Sequence, residues 1–501
     1  MLGLSKKEKD YALYKALEDF SAGQLTTAIR KGGDVNVRRG RYAAPLFKAL
    51  SIYEKSSATQ AVKILVGAGA DVNARDEDGR SVLQAAIDSH QNYLPLVDYL
   101  IEAGADVMGA DDLSNTPLFT ALRRNAWEVA SRLVDEGAHA EHTNLYSRTL
   151  AMAAVENNAP PALLARLFDT GLDVNHVTEQ YASALSTAAA KGSKAYIDIL
   201  LKQPDIEIEI RHPVDNNTPL MAAVISGRAE AVKALLDAGA RTDVTGAEGA
   251  TPLVYAATAG HNEIFDMLLA SGATLDRPNK SDVTAITAAA GNGNIRMVMS
   301  LLAAAQARDS ALDLGPGLLA ASGKGHGRVM ELLIEAGADV NIRDKTGRSP
   351  LMHAALDDRV EALEILLRAG AKADLADTHG MSAYDHAVSA ARSKAKEFLG
   401  RYRGGAPAEK AAAPADDYRY VRLNDHSLEV REGAGLTMTF NFWTQQVILR
   451  DTEHSVSPVV QNFDAIQRQE AIAEAYEKLK AMGGTPPEPR AASVRKKSAL
   501  G

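Results

Sequence analysis

The chain has 501 residues, a formal net charge of −9 and no cysteine. The missing cysteine excludes disulfides and thiolate metal sites, and a modest acidic balance over this length argues against a nucleic-acid binder, which needs a basic face. No apolar run reaches transmembrane length, and Met1-Leu2-Gly3-Leu4-Ser5-Lys6-Lys7 leads into charged sequence without the apolar core of a signal peptide, so a cytoplasmic protein with no membrane contact is expected.

From about residue 5 to residue 403 the sequence is periodic, at an interval of about 33 residues. A degenerate first unit ends at Gly33-Asp34-Val35-Asn36, and later units open at Pro45, Val82, Pro117, Thr149, Ala184, Pro219, Pro252, Ala285, Gly317, Pro350 and Ala383. The clearest openings are Thr218-Pro219-Leu220, Thr251-Pro252-Leu253 and Ser349-Pro350-Leu351. A hydroxyl before a proline caps a helix and places the proline where its missing N–H costs nothing. Small residues such as Ala222, Ala223, Ala256 and Ala257 suit a closely packed first helix. Val232, Leu235 and Leu236, then Ile264, Met267, Leu268 and Leu269, give a second helix one apolar face. Gly227 and Gly260 fall between the two helices, and Gly239, Gly272, Gly337 and Gly370 fall where a helix ends in a left-handed residue. The polar segment that follows turns the chain out and back. One joint departs from this. Its unit runs out in Ala304-Ala305-Gln306-Ala307-Arg308 with no Gly-Ala-Asp turn, and the next opens with Gly315-Pro316-Gly317, so local opening is expected to be fastest at 310–318.

This pattern closely resembles the ankyrin repeat. Residues 349–355 (Ser-Pro-Leu-Met-His-Ala-Ala), Gly260-His261, Gly325-His326 and 337–341 (Gly-Ala-Asp-Val-Asn) match the family phrases piece by piece. The resemblance covers residues 5–403, about twelve units, and implies an α-solenoid of stacked helix pairs with projecting fingers. It further implies a concave face, lined by fingers and first helices, that recognises other proteins.

After the repeats, residues 404–415 read as a Gly/Ala/Pro linker, and 416–482 as a separate small module. Short strands are expected at 418–423, 427–431 and 436–442, where Leu436, Met438, Phe440 and Phe442 alternate with polar residues, and at Val447 and Leu449. Asp464 and Gln467 form a capping box before a helix with Ile472, Ala473, Tyr476 and Leu479 on one face. The fold class is thus an α ankyrin-repeat solenoid with a small α+β C-terminal module. The tail 483–501 is expected to be disordered.

Residues 317–324 faintly resemble a phosphate-binding loop, but Gly325 stands where Ser or Thr should follow Lys324, and the turn between two repeat helices explains them better. His261, His326 and His353 occupy positions that the repeat itself explains, and nothing resembles a nucleophile with its base. No catalytic residue, metal or cofactor is therefore expected. The expected function is a noncatalytic, monomeric scaffold or adaptor binding a partner protein on the concave face. Its candidate partner-binding residues are Arg39, Arg41, Tyr42, Asp76, Asp78, Asp111, Tyr146, Tyr181 and His212 at the finger tips, where a basic first tip, acidic next tips and central tyrosines pattern the groove. Trp443 is added because it falls out of register with Phe440 and Phe442 and can serve as an exposed anchor. The alternative is a regulatory or effector subunit whose C-terminal module acts while the repeats deliver it. Against catalysis there, residues 416–482 contain only His426 and His454 among histidines.

Overall fold

The computed structural model describes residues 5–38, 44–89, 94–139, 143–180 and 182–402, together with the backbone of strands between 419 and 461. The chain divides into two compact units, Met1–Arg403 and Gly404–Gly501. Among the described residues the first unit consists of twelve helix pairs, from Lys6–Glu18 with Ala22–Arg30 to Ala383–Ser389 with Ser393–Gly400.

Local chemistry explains the helix starts. The hydroxyls of Thr116, Thr218, Thr251 and Ser349 accept the N–H three residues on, ahead of a proline in the first turn. Two expected openings shift. Thr149 is itself the cap of Leu150–Glu156, and Gly317 lies inside the helix Gly315–Lys324, which has Pro316 in its first turn and no side-chain cap. In the first case the hydroxyl caps as in the other units and Leu150 takes the place that proline holds after Thr116, Thr218 and Thr251. In the second, proline sets the start in the absence of a hydroxyl.

The two helices of a pair are buried differently. Pro219–Ile225 buries Pro219, Leu220, Met221, Ala223 and Val224, whereas Ala229–Asp237 buries only Ala231, Val232 and Leu235. First helices lie between those of the preceding and following units and need small side chains for close approach. Second helices form an outer layer with one solvated side. Nearly every buried apolar residue of the unit belongs to one continuous core, as stacking of repeats requires.

The units are also stapled through asparagine. At the end of the Gly-Ala-Asp-Val-Asn phrase, Asn73 accepts the Asp106 N–H at 2.8 Å and donates to the Gly104 carbonyl at 3.0 Å. Asn36 does the same one unit earlier, and Asn175 three units later in the array. The sequence phrase thus encodes a join between repeats as well as a turn.

The second unit carries strands Arg419–Asn424, Ser427–Glu432, Leu436–Asn441, Gln446–Asp451 and Val459–Gln461 in a single antiparallel sheet, in chain order. Met438 is registered between Val430 and Leu449, and Phe440 between Leu428 and Val447. Phe442, Trp443, the expected helix with Ile472, Ala473, Tyr476 and Leu479, the linker and the tail lie outside the described residues.

Candidate functional site

The fingers are built from five-residue turns whose first side chain folds inward. Asp76 accepts the N–H groups of Asp78 and Arg80, Asp111 those of Leu113 and Asn115, Asn144 those of Tyr146 and Arg148, and Asp344 those of Thr346 and Arg348. The fourth residue takes positive φ, at Gly79, Ser114, Ser147 and Gly347 among others. The second and third residues are left to protrude.

Neighbouring tips are tied by backbone hydrogen bonds. Asp112 donates to Asp78 at 3.2 Å, Leu145 to Leu113 at 2.9 Å, Ala247 to Asp215 at 2.7 Å, Lys280 to Glu248 at 2.9 Å and Thr378 to Thr346 at 3.1 Å. Arginines at the finger bases add straps across units, Arg211 to the Thr245 carbonyl at 2.9 Å and Arg343 to that of Ala376 at 2.8 Å. The row of tips is therefore held in place before any partner arrives, which lowers the ordering cost of binding.

The tip residues named from sequence divide by this geometry. Asp76 is occupied by its own turn and by Arg80, and its side chain is 8% exposed. Asp111 also receives the Asn115 amide, and the His212 ring nitrogen lies 3.1 Å from Asp215 in its own finger. Asp78, with a side chain 78% exposed, and Tyr146, 50% exposed, face outward. Arg39, Arg41, Tyr42, Tyr181 and Trp443 lie outside the described residues. The protruding residues that were not named are Glu77, Asp112, Leu113, Leu145 and Val214. For the first four the signal was the turn itself: in a five-residue turn that opens with Asp or Asn and has Gly or Ser fourth, the first side chain turns in and the next two face out.

Between the fingers at 76–80, 111–115 and 144–148 lies an open hollow of about 660 Å³. Glu77, Asp78, Asp112, Leu113 and Tyr146 stand on its lining, with Arg80, Asp88, Phe119, Arg123 and Arg148 among the deeper residues. The arginines are already engaged. Arg80 meets Asp76 at 2.8 Å and Asp88 at 3.6 Å, Arg123 meets Asp88 at 2.9 Å, and Arg148 pairs with Glu156 and stacks over Phe119 at 5.7 Å. Burial works against the Arg80 charge, yet the carboxylates of Asp76, Asp78 and Asp88 around it raise its pKa above the usual value.

The remaining motifs are absorbed by the fold. Residues 317–324 are helical, and Gly325 at φ 78° makes the turn that follows. The His326 Nε2 lies 3.1 Å from the Gly291 carbonyl, and His353 Nε2 lies 2.9 Å from Asp344. Among the described residues no three histidine or carboxylate side chains are grouped to hold a metal ion. None of their helices is long and apolar enough to cross a membrane.

A family model described as "Ankyrin repeats (3 copies)" matches residues 46–144, 150–246, 239–312 and 318–406. The chain belongs to the ankyrin-repeat family. It is 32% identical over 220 residues to human palmitoyltransferase ZDHHC13, covering 42% of this chain and 34% of that one. It is 32% identical over 191 residues to human ankyrin repeat domain-containing protein 63, covering 37% and 46%, and 30% identical over 139 residues to ankyrin repeat domain-containing protein M-T5 of Myxoma virus, covering 27% and 29%. The chain spans less than half the length of each, and the transferase named in the first is that protein's own. The crystal structure of the human ASB11 ankyrin repeat domain aligns with a TM-score of 0.39 at 27% identity, covering 45% of this chain and all of that one. Ankyrin repeats are a binding fold, and the row of tips and the hollow are where this array differs from unit to unit.

Proposed function

We propose that this ankyrin-repeat protein is a noncatalytic scaffold or adaptor, a cytoplasmic monomer, that binds a partner protein along its row of finger tips and the face beside them. One observation carries the reading: large apolar side chains are exposed at three of the tips, Leu113 at 44% on one, Leu145 at 65% and Tyr146 at 50% on the next, and Val214 at 64% two units further on. Exposed apolar groups on a rigid, interlinked row provide the anchors an interface uses. Asp78 and Tyr146 belong to the contact surface in this reading, and Arg39, Arg41, Tyr42 and Tyr181 are kept as further contacts on their place in the sequence. Asp76, Asp111 and His212 act as supports that hold the tips in shape.

The C-terminal unit has its own place in the proposal. Residues 416–482 are read as a small sheet-plus-helix module joined by the 404–415 linker, with Trp443 as an anchor for a second contact. The five-strand antiparallel order supports the sheet. The effector alternative makes this module the active part, which the repeats deliver.

The test begins with affinity purification on the full chain and identification of the partner by mass spectrometry. The purified partner is then titrated against the wild type and against a Leu113→Ser, Leu145→Ser, Tyr146→Ser variant. Loss of roughly tenfold or more in affinity is expected from removing three exposed anchors. Unchanged affinity would take the finger row out of the proposal, and loss only on Trp443→Ala would favour the C-terminal module.

A further inference from the structure

We infer that the hollow between the fingers at 76–80, 111–115 and 144–148 receives a lysine or arginine side chain from an extended segment of the partner, with an apolar neighbour resting on Leu113 and Tyr146. This rests on the reading of the finger row as the binding face and says what chemistry it selects.

Charge gives the first reason. Glu77, Asp78 and Asp112 are exposed at the rim, and among the described residues the Glu77 and Asp112 carboxylates have no partner. Asp78 reaches only Arg80, at 3.5 Å. The cations nearby are engaged from beneath: Asp88, 11% exposed, meets Arg80, Arg123 and Arg124, while Asp76 also holds Arg80 and Glu156 holds Arg148. An incoming anion would find every guanidinium already engaged and the carboxylates of Glu77, Asp78 and Asp112 opposing it, whereas a cation meets the unpaired Glu77 and Asp112 at no cost to the existing pairs and shares Asp78 with Arg80.

Shape and surface give the second. Leu113 and Tyr146 rise from adjacent tips that are joined by the Leu145 to Leu113 hydrogen bond at 2.9 Å, so the apolar wall and the acidic rim keep a fixed spacing. A long cationic side chain lays its methylene stem along such a wall while its head meets the rim. A bare metal ion does not fit the donor set, since no three of these carboxylates are grouped to hold one.

The probe is a random twelve-residue peptide library displayed against the full chain. Enriched peptides should carry arginine or lysine beside leucine, methionine or an aromatic residue. A synthetic peptide of that consensus should bind the Glu77→Gln, Asp78→Asn, Asp112→Asn variant roughly tenfold more weakly, with an affinity that falls as salt rises. These carboxylates are exposed, so helical content and melting of the variant serve as the folding control. Enriched peptides that lack a cation, or whose affinity the triple variant does not change, overturn the inference. If such peptides instead lose affinity on Val214→Ser or on Lys280→Glu with Lys345→Glu, the finger row survives as a binding face without this subsite. Failure of any peptide to enrich would overturn both.

Discussion

Lys345 and Asp282, 63 residues apart, form an ion pair between two finger tips that are not consecutive in the array. The finger that should stand between them is missing. Only seven residues separate the helix Ile295–Ala307 from Gly315–Lys324, too few for the polar excursion that other units make. At five other junctions a backbone hydrogen bond joins the tips, and across this gap a side-chain pair takes over.

Both partners of that pair are well exposed, so its contribution is small. A double-mutant cycle on Lys345→Ala and Asp282→Ala, read from amide exchange of the 279–283 and 344–348 turns, should give a coupling of about 0.2–1 kcal/mol. The coupling should vanish at about 1 M salt. A value that persists in high salt would mean that the gap is closed by something other than charge.

The same gap should be the place where the array opens most readily. Arg308 reaches back to the Ala273 carbonyl at 2.6 Å, which anchors the end of the long helix, but residues 306–311 are exposed and the next helix starts without a side-chain cap. Close packing of Gly317 against Ile286 and Ala290 protects the helix interior. Amide exchange is therefore expected to be fastest within the repeats at 310–314, and slower from Leu318 onward. Protection at 310–314 equal to that of 231–236 would contradict this.

Asp344 couples a finger to its helix and should do so in a pH-dependent way. Burial raises its pKa, but the Thr346 hydroxyl, the Arg348 and Thr346 N–H groups and His353 outweigh that and hold it at about 2, below the ordinary 3.8. A depressed carboxyl contributes stability that is fully present above pH 3.8 and is lost as pH falls toward 2. Asp344→Ala leaves two backbone donors unserved and should cost about 1–3 kcal/mol at neutral pH, a difference from wild type that narrows between pH 3.8 and 2. Asp344→Asn should cost less than about 1 kcal/mol, because Asn144 and Asn279 already accept the same pair of N–H groups in their own turns. Urea midpoints of the three proteins across that pH range provide the check.

Repetition is what made most of this fold readable. Thr-Pro openings, Gly227 and Gly260, and the terminal Gly239 and Gly272 each report a local backbone requirement, and the structure meets them at those residues. The site was read less well. Composition places acids and tyrosines at the tips, but whether Asp76 faces out or caps its own turn depends on five residues acting together, and the hollow depends on three units side by side. The replacement of a finger by Lys345 and Asp282 could not be read at all, since their pairing follows from a deletion between them.

One further position shows a cost that the other repeats avoid. From Pro117–Arg123 onward, the turn after the first helix of a pair contains a residue of positive φ, as at Asn125, Asn158, Gly192, Gly227, Gly260 and Asp358, and in the last pair it is Ala391, at φ 56°. Alanine has no local hydrogen bond to offset the left-handed conformation, which costs about 1–2 kcal/mol. Ala391→Gly should stabilise the last repeat by about 1 kcal/mol, seen as slower exchange of the 395–399 amides. No change there would mean that the strain is relieved in solution by fraying of this terminal pair.

Gly79 makes the opposite case, and it ties stability to the binding face. It has φ 71°, and a Cβ added there would lie 2.9 Å from the Asp112 nitrogen, the same atom that donates to the Asp78 carbonyl. Backbone cannot move aside as a side chain can, so Gly79→Ala must either strain the turn or part the two tips. The left-handed conformation alone costs about 1–2 kcal/mol, and most of the loss should appear locally, as faster exchange at Asp112 and Leu113 with the helices 82–89 and 117–123 still protected. Separating these tips also moves Glu77 and Asp78 away from Asp112, so affinity for a cationic peptide should fall although no carboxylate has been removed. If Gly79→Ala left both the Asp112 exchange rate and that affinity unchanged, the linked row of tips would not be the element that fixes the spacing of the hollow.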